Sequence, residues 1–529
     1  MSSFRILRGL CPQIQYRSYG KLSTANYENC VSENCVSPFL QIRPTTTTSN
    51  VGNVVQKTVG KISTTSCSSF STQQTTTNKI ENADITEKQL YDVVISGGGM
   101  VGTAMASALG NDPVFSNKNI LLLESMTEKS DFVLKDGGFS NRVCALSPAT
   151  VKFLSGIGAW DEICSLRLQP VKMMQVWDAC SDAMINFDLG SGDENLAYIV
   201  ENDVIIEGIK RSFPKSDNIK IQYSSQVKEY SFPESDANDR WVKIQLDNGD
   251  ILQTRLLIGA DGFRSLAKDS AKIQSVKWEY DQTGIVAVLH LSEPIENNVA
   301  WQRFLPTGPI AMLPLSETRS NLIWSTTREQ AKVLMSLKSD SFVDAVNNAY
   351  WDNKEKDNLA VNAGQWFGQF LSTFIPGIKI DSTSTKQLPP TVVNIDLNSR
   401  AVFPLGLSHA THYVKPRLAL IGDAAHRIHP LAGQGVNLGF GDAACLHEKL
   451  KKAVQNGTDI GALTNLIEYE TLRQRHVVPV MATIDGLSRL YNTSFSPLVL
   501  LRSLGLQATN SSSLIKDKIM EYAMKGIQL

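Results

Sequence analysis

The sequence predicts an α/β fold, α+β overall: a Rossmann-like dinucleotide-binding domain interleaved with a mainly antiparallel β-sheet and followed by a helical C-terminus. Three observations predict it. Apolar strand-like runs at Tyr91–Ser96, Leu256–Ala260 and Leu418–Ile421 each stop at a glycine-containing turn. Between Val171 and Ser399 the pattern changes to short β-type runs such as Ile219–Tyr223, Trp241–Leu246, Gly284–Leu291 and Asn321–Thr326. The segment after residue 455 returns to helical patterning. The 529 residues, 42% hydrophobic and 19% charged, are compositionally globular and exclude collagen-like, fully disordered and disulfide-knot classes. This length suggests two or three domains.

The charge balance separates a leader from the body. Residues 1–80 hold eight Lys/Arg and two Asp/Glu, a net of +6; residues 81–529 hold 43 and 50, a net of -7. The overall net charge of -1 offers no support for a nucleic-acid binder. The first 27 residues carry Arg5, Arg8, Arg17 and Lys21 with no acid, and apolar Phe4, Ile6, Leu7 and Leu10, the pattern of a mitochondrial presequence. Thr/Ser-rich runs then extend to Thr77, so 1–80 is expected to be presequence and linker. Four of the eight cysteines lie in this leader, and the other four are scattered without a C-x-x-C pair, which argues against a disulfide framework or a metal site. No run reaches the roughly 18 consecutive apolar residues that cross a bilayer.

Three elements carry the chemistry. Tyr91–Ser96 is followed by Gly97-Gly98-Gly99-Met100-Val101-Gly102 and then by small helix-forming residues, G-x-G-x-x-G between strand and helix. Gly97 allows the tight turn, Gly99 the approach of a pyrophosphate, and Gly102 close helix–strand contact. Glu124 ends the next apolar run, Asn119–Leu123, where a carboxylate accepts from both hydroxyls of an adenosine ribose, favouring FAD or NAD over a 2′-phosphorylated nucleotide. The second element is the turn Asp261-Gly262 after Leu256–Ala260. The third runs from Arg417 to Asp442, with Gly422-Asp423 at a strand end and Gly433-Gln434-Gly435 leading into a helix near Val436-Asn437. There the aspartate suits a ribose or ribityl hydroxyl, and the helix start suits negative charge. His426 fits a packing role as well as a functional one.

GGGMVG with Glu124, GADGFRS and IGDAAHRIHPLAGQGVNLG, in this order, resemble the FAD fingerprints of class A flavin-dependent aromatic hydroxylases, the para-hydroxybenzoate hydroxylase fold. NRVCALS at 141–147, IVEN at 199–202 and WQRFLPTGPIAMLPLSETRSNLIWSTT at 301–327 are similar to the ubiquinone-biosynthesis hydroxylases, nearest to mitochondrial members that oxidise ring carbon C5. The resemblance implies an FAD-dependent monooxygenase that hydroxylates a polyprenylated hydroxybenzoate-type ring with O2 through a C4a-hydroperoxyflavin. It implies that Glu124 binds the adenosine ribose, Arg142 lies along the FAD, Asp423 holds the ribityl chain, and Gly433 to Asn437 face the flavin, with Asp261, Gly262 and Gly422 in the binding turns. Pro430 and Gln434 would stand at the flavin and substrate face.

The resemblance further implies NAD(P)H or ferredoxin with its reductase as electron source. It places the protein peripherally on the matrix side of the mitochondrial inner membrane with other coenzyme Q biosynthesis proteins, and calls for no metal. Two departures stand out: Lys268 where relatives carry arginine, and Asn141 where they often carry aspartate. The domains expected are FAD-binding segments 90–170, 250–275 and 400–455, substrate segments 171–249 and 276–399, and a helical region 456–529. Trp301, Phe304, Met312, Leu313 and Trp324 fit ordinary sheet core better than a pocket wall. The rival function is a non-catalytic FAD-fold subunit that binds prenyl lipid or scaffolds a complex.

Overall fold

The computed structural model describes residues 90–525 except 129–131, 133, 135–137, 190–193, 234–239, 353–355, 357–386 and 431–432. The leader assigned to 1–80 lies outside the described residues.

An eight-stranded sheet forms the nucleotide-binding half. Its parallel centre places Leu418–Leu420 beside Ile251–Gly259, then Leu90–Ser96, Ile120–Leu123 and Ile219–Gln222. These strands are nearly continuous in Val, Ile and Leu because helices cover both faces, and Val93, Val94, Ile95, Leu256, Leu257 and Ile258 are fully buried. The helices Met100–Asn111 and Gly435–Gln455 pack together against this sheet. Gly435–Gln455 buries Leu446, Leu450 and Ala453, spaced at helical period along one stripe.

A second sheet of nine strands is antiparallel except where Met173–Asp178 pairs in parallel with Val299–Leu305. Ser275–Leu291 is its spine and pairs with Arg319–Thr327 on one side and Ala401–Ala410 on the other. One face packs Trp177, Trp301, Met312, Leu322 and Trp324 against the helices Arg328–Ser336 and Ser339–Trp351. A separate three-stranded sheet joins Val143–Leu146, Ala197–Glu201 and Gln169–Val171.

The expected segment boundaries need correction in two places. Ile219–Gln222, Val227–Ser231 and Val242–Leu246, assigned to the substrate segment 171–249, belong to the nucleotide-binding sheet. The first extends the parallel centre; the other two form a hairpin on the solvent half of Ile251–Gly259. Conversely Ala401–Ala410, assigned to the FAD segment 400–455, is a strand of the nine-stranded sheet, held there by Ser275–Leu291. The tail is helical at Leu463–Tyr491, Ser496–Ser511 and Ser513–Lys525.

Candidate functional site: a dinucleotide cleft at the strand ends

The three glycine turns lie side by side because the three strands before them are adjacent and parallel, so all end at the same sheet edge. Ala260 N donates to Ser96 O at 2.8 Å and Ile421 N to Gly259 O at 3.0 Å, linking each turn to the next. Gly97 has φ +110, and a Cβ on it would lie 2.4 Å from Ala260 O. A Cβ on Gly102 would lie 1.9 Å from Gly97 O, so the helix can approach its own turn only through glycine. Val101 docks the third element: Cβ atoms on Gly422 and Gly439 would lie 3.4 and 2.7 Å from its side chain.

Gly99 differs from these. A Cβ on it would meet nothing within 4 Å, and it precedes a helix whose N-terminus has no side-chain cap. The first N–H groups of that helix therefore face open space, the arrangement that receives a pyrophosphate. Gly262, at φ +80, likewise fronts open space. The helix Gly435–Gln455 also starts without a side-chain cap, at Gln434, so a second positive helix end enters the same cleft.

Glu124 lies against Gly98, whose added Cβ would sit 2.5 Å from its Oε2. Its Oε1 accepts from Met126 N at 2.8 Å and Ser125 Oγ at 3.3 Å, which fixes the carboxylate plane. Asp261 Oδ2 accepts from Ala267 N at 3.1 Å, while Oδ1 is buried without a hydrogen-bond partner. Burial raises the Asp261 carboxyl despite its hydrogen bonds to the following turn. Asp423 is crowded by protein on most sides yet keeps an exposed face, the condition of a side chain at the floor of a cleft; that crowding raises its carboxyl against the pull of His426 and Arg427. An uncapped helix end, an orphaned acid oxygen and two further carboxylates around an open glycine track are donors and acceptors for the phosphates and hydroxyls of FAD. The residues present fit it.

Asn437 acts within the protein. Its Oδ1 accepts from Ser147 N at 3.0 Å and Thr150 Oγ1 at 2.7 Å, and its Nδ2 donates to Ala145 O at 2.8 Å. This leaves its side chain fully engaged in fastening the helix start to Val143–Leu146, so only the backbone of Gly435, Val436 and Asn437 is left to face a ligand. Arg142, one residue before that strand, is exposed, and its guanidinium has no partner among the described residues. Pro430 accepts from Gly433 N at 3.0 Å and, with Gln434, brackets the entry to the helix. Cys144 is no nucleophile: burial, with Asp423 adding, pushes its thiol up to about 12, and Sγ donates to Asn202 Oδ1.

Sequence reasoning left Asp442 and Arg473 without a role. Asp442 Oδ2 accepts from Gly422 N at 2.8 Å and His426 Nε2 at 2.6 Å, and its Oδ1 accepts from Arg473 Nε at 2.6 Å, all buried. This cluster holds the Gly422-Asp423 turn, and it gives His426 a structural role. The signal was available: a charged residue inside an apolar helix requires a partner. Lys268 is buried on the short helix Leu266–Ser270, and Asn141 Nδ2 donates to Ser399 O, tying the segment before Val143 to the second sheet.

Across the cleft, Val286, Ala311 and Ile323 stand opposite one another on three central strands, with Leu313 two residues on from Ala311. They are half-buried although their strands are interior, so they front a hollow. Leu313 with Val143 and Ala145 bounds one side; Phe304, Leu405, Leu407 and Ile428 bound the other. Of the five expected core residues, Trp301, Met312 and Trp324 pack on the far face, Phe304 flanks the hollow, and Leu313 fronts it. Near Pro430, burial depresses His429 to about 4, so it is neutral at pH 7. No cluster of three metal-ligating side chains occurs among the described residues.

Residues 90–349 and 384–482 match the family of FAD binding domains. Ubiquinone biosynthesis monooxygenase COQ6, mitochondrial, of Danio rerio is 51% identical over 449 residues, covering 84% of this chain and 92% of that protein. The Homo sapiens protein of the same name is 51% identical over 441 residues, 82% and 93%. The Saccharomyces cerevisiae protein is 34% identical over 450 residues, again 82% and 93%. Among solved structures, p-nitrophenol 4-monooxygenase PnpA of Pseudomonas putida aligns with TM-score 0.60 at 16% identity, over 84% of this chain and all of that one. Klebsiella pneumoniae HpxO complexed with FAD aligns at 0.58 and 16%, over 82% and 99%. These two likenesses show the fold. With the cleft geometry, the matched FAD-binding family and relatives at half identity in agreement, the chain belongs to the ubiquinone biosynthesis monooxygenases, a family of FAD-dependent enzymes.

Proposed function

We propose that the protein hydroxylates carbon C5 of a polyprenylated hydroxybenzoate-type ring in ubiquinone biosynthesis. The observation that carries this reading is the apolar, half-buried wall of Val286, Ala311, Leu313 and Ile323 on the sheet face opposite the packed helices, with Leu313 clustered against Val143 and Ala145. Such a wall receives a flat ring with a hydrocarbon tail and keeps water from the reacting centre. FAD, when bound and reduced, supplies the activation of O2. The chain's own residues bind and orient. Glu124 and Asp423 would accept from cofactor hydroxyls, Gly99 and Gly262 would admit its pyrophosphate with Asp261 holding the second turn, and Arg142 would lie along it. The uncapped start at Gly435 stabilises negative charge opposite the wall. Overall, one ring C–H, O2, two electrons and two protons give one ring C–OH and water.

The electrons come from NAD(P)H or from ferredoxin with its reductase, and the enzyme works peripherally on the matrix side of the mitochondrial inner membrane beside other coenzyme Q biosynthesis proteins. No described helix is long and apolar enough to cross a membrane. A scaffold subunit would need none of the open glycine track. The decisive experiment supplies purified FAD-loaded protein with a prenylated hydroxybenzoate, a chemical reductant and labelled O2. A product carrying one labelled oxygen at C5 is expected; an unchanged ring, or a hydroxyl at another carbon, would sink the reading.

A further inference from the structure

The apolar wall of the hollow continues into one polar side chain. Register sets Val286 opposite Ile323, Ile323 opposite Ala311, Ala311 opposite Gln302, and Gln302 opposite Val176, a row across five strands in which Gln302 alone is polar. Side chains alternate between faces along Val299–Leu305. Trp301 packs in the cluster on the helix-covered face, and Arg303 donates to Ala349 O at 3.1 Å and Asp352 O at 2.7 Å on that side. Gln302 therefore shares the face of the hollow with Ala300 and Phe304. Ala300 belongs to the cluster of Val143 and Ala145 on one side of the hollow, and Phe304 to that of Leu405 and Ile428 on the other. Gln302 stands between the two. Only 5% of it is exposed, and its amide makes no hydrogen bond among the described residues, yet neither amide atom is sealed from solvent. The amide thus opens on the hollow. Asn321, on the same face two strands away, offers no such group: it is fully buried, its Nδ2 donates to Asn141 O at 3.2 Å, and its Oδ1 is sealed.

A buried amide without a partner is rare, because unmatched donors and acceptors cost stability, and a ligand that matches them recovers that cost. An apolar wall holds a flat ring without fixing its rotation in the ring plane. The monooxygenase reading, on which this inference rests, needs one chosen carbon presented for oxygenation. That choice requires a directional contact, and in a water-poor hollow a hydrogen bond supplies one. The amide is neutral and its row holds no cation, which suits an uncharged hydroxyl better than a carboxylate. A phenolic hydroxyl both donates and accepts, as the amide does. We infer that Gln302 hydrogen-bonds the phenolic hydroxyl of the ring and so determines which ring carbon is oxygenated.

The test reads binding alone, by titration calorimetry of the full, oxidised FAD-loaded chain with two probes: 3-prenyl-4-hydroxybenzoate and 3-prenylbenzoate, which lacks the hydroxyl. Wild type should bind the hydroxylated ring about tenfold more tightly. Gln302→Met, close in volume, and Gln302→Leu should bind the two rings within about twofold of each other, with the loss falling on the hydroxylated ring. FAD content and thermal unfolding serve as controls and should match wild type. With chemical reductant and labelled O2, Gln302→Met should spread the label over more than one ring carbon. Equal affinity of wild type for the two rings overturns the inference, as does a tenfold preference kept in both variants. If the preference behaves as expected but the reduced enzyme leaves the ring unchanged, the proposed reaction fails and the Gln302 contact stands. If C5 is hydroxylated and wild type shows no preference, the reaction stands and the contact fails.

Discussion

Asp442 receives three hydrogen bonds in a fully buried site, two of them from the side chains of His426, in the same glycine element, and Arg473, on the following helix. Burial pushes its carboxyl up, but His426 and Arg473 outweigh that and hold it below its ordinary value. A carboxyl depressed on folding contributes stability that is complete above its unfolded value, about pH 4, and is lost as pH falls through the folded value. Urea midpoints should therefore drop in acid below about pH 4, and Asp442→Asn should flatten that window. The same variant strands the Arg473 charge, which should cost about 3–5 kcal/mol at pH 7 in equilibrium unfolding. Asp423→Ala acts differently, since its side chain faces the cleft: the ratio of FAD to purified protein should fall, and an unchanged ratio would refute its placement. The positions of Gly99, Glu124 and Asp423 at strand ends were legible because they depend on local spacing after a strand. That Asp442 needs a partner was legible too, but which partners it takes was not, because the packing of two helices that spacing does not report sets them.

The glycines of the first turn separate folding from binding. Gly102→Ala drives a Cβ to 1.9 Å from Gly97 O and should prevent the element from forming, read as loss of soluble protein. Gly99→Ala meets no atom of the chain, so thermal unfolding of the apoprotein should shift little while FAD retention falls severalfold, because the methyl intrudes on the phosphate path. Among the elements themselves, runs ending in glycine turns were recognisable as parallel strands since their burial on both faces makes them continuous in Val, Ile and Leu. Val242–Leu246 was not assignable, because an alternating strand reads alike in either sheet. Its partner, the early half of Ile251–Gly259, extends beyond the buried run that the sequence displays.

At the scale of the molecule, a buried ion pair fastens the helix Ser496–Ser511 of the tail to the second sheet. Arg502 reaches Asp178 through Nε at 2.8 Å and Nη2 at 2.9 Å, while Nη1 donates to the carbonyls of Leu490, Tyr491 and Thr493 at the end of Leu463–Tyr491. Tyr491 in turn stacks on Phe304 at 3.9 Å between centroids, beside the hollow. Arg502→Met should cost about 3–5 kcal/mol in thermal or urea unfolding, and adding Asp178→Leu should recover much of it, because an apolar pair replaces an uncompensated charge. The nucleotide-binding sheet carries a different consequence. Val94 pairs with Leu257, and Leu257 with Leu418, so neighbouring strands come from the first, middle and last portions of the described chain. Contacts of such separation close slowly. A chain emerging from a ribosome or threading a translocation pore amino end first holds only fragments of the cleft until the helix after Gly435 has arrived, which makes flavin capture one of the last events in the protein's maturation.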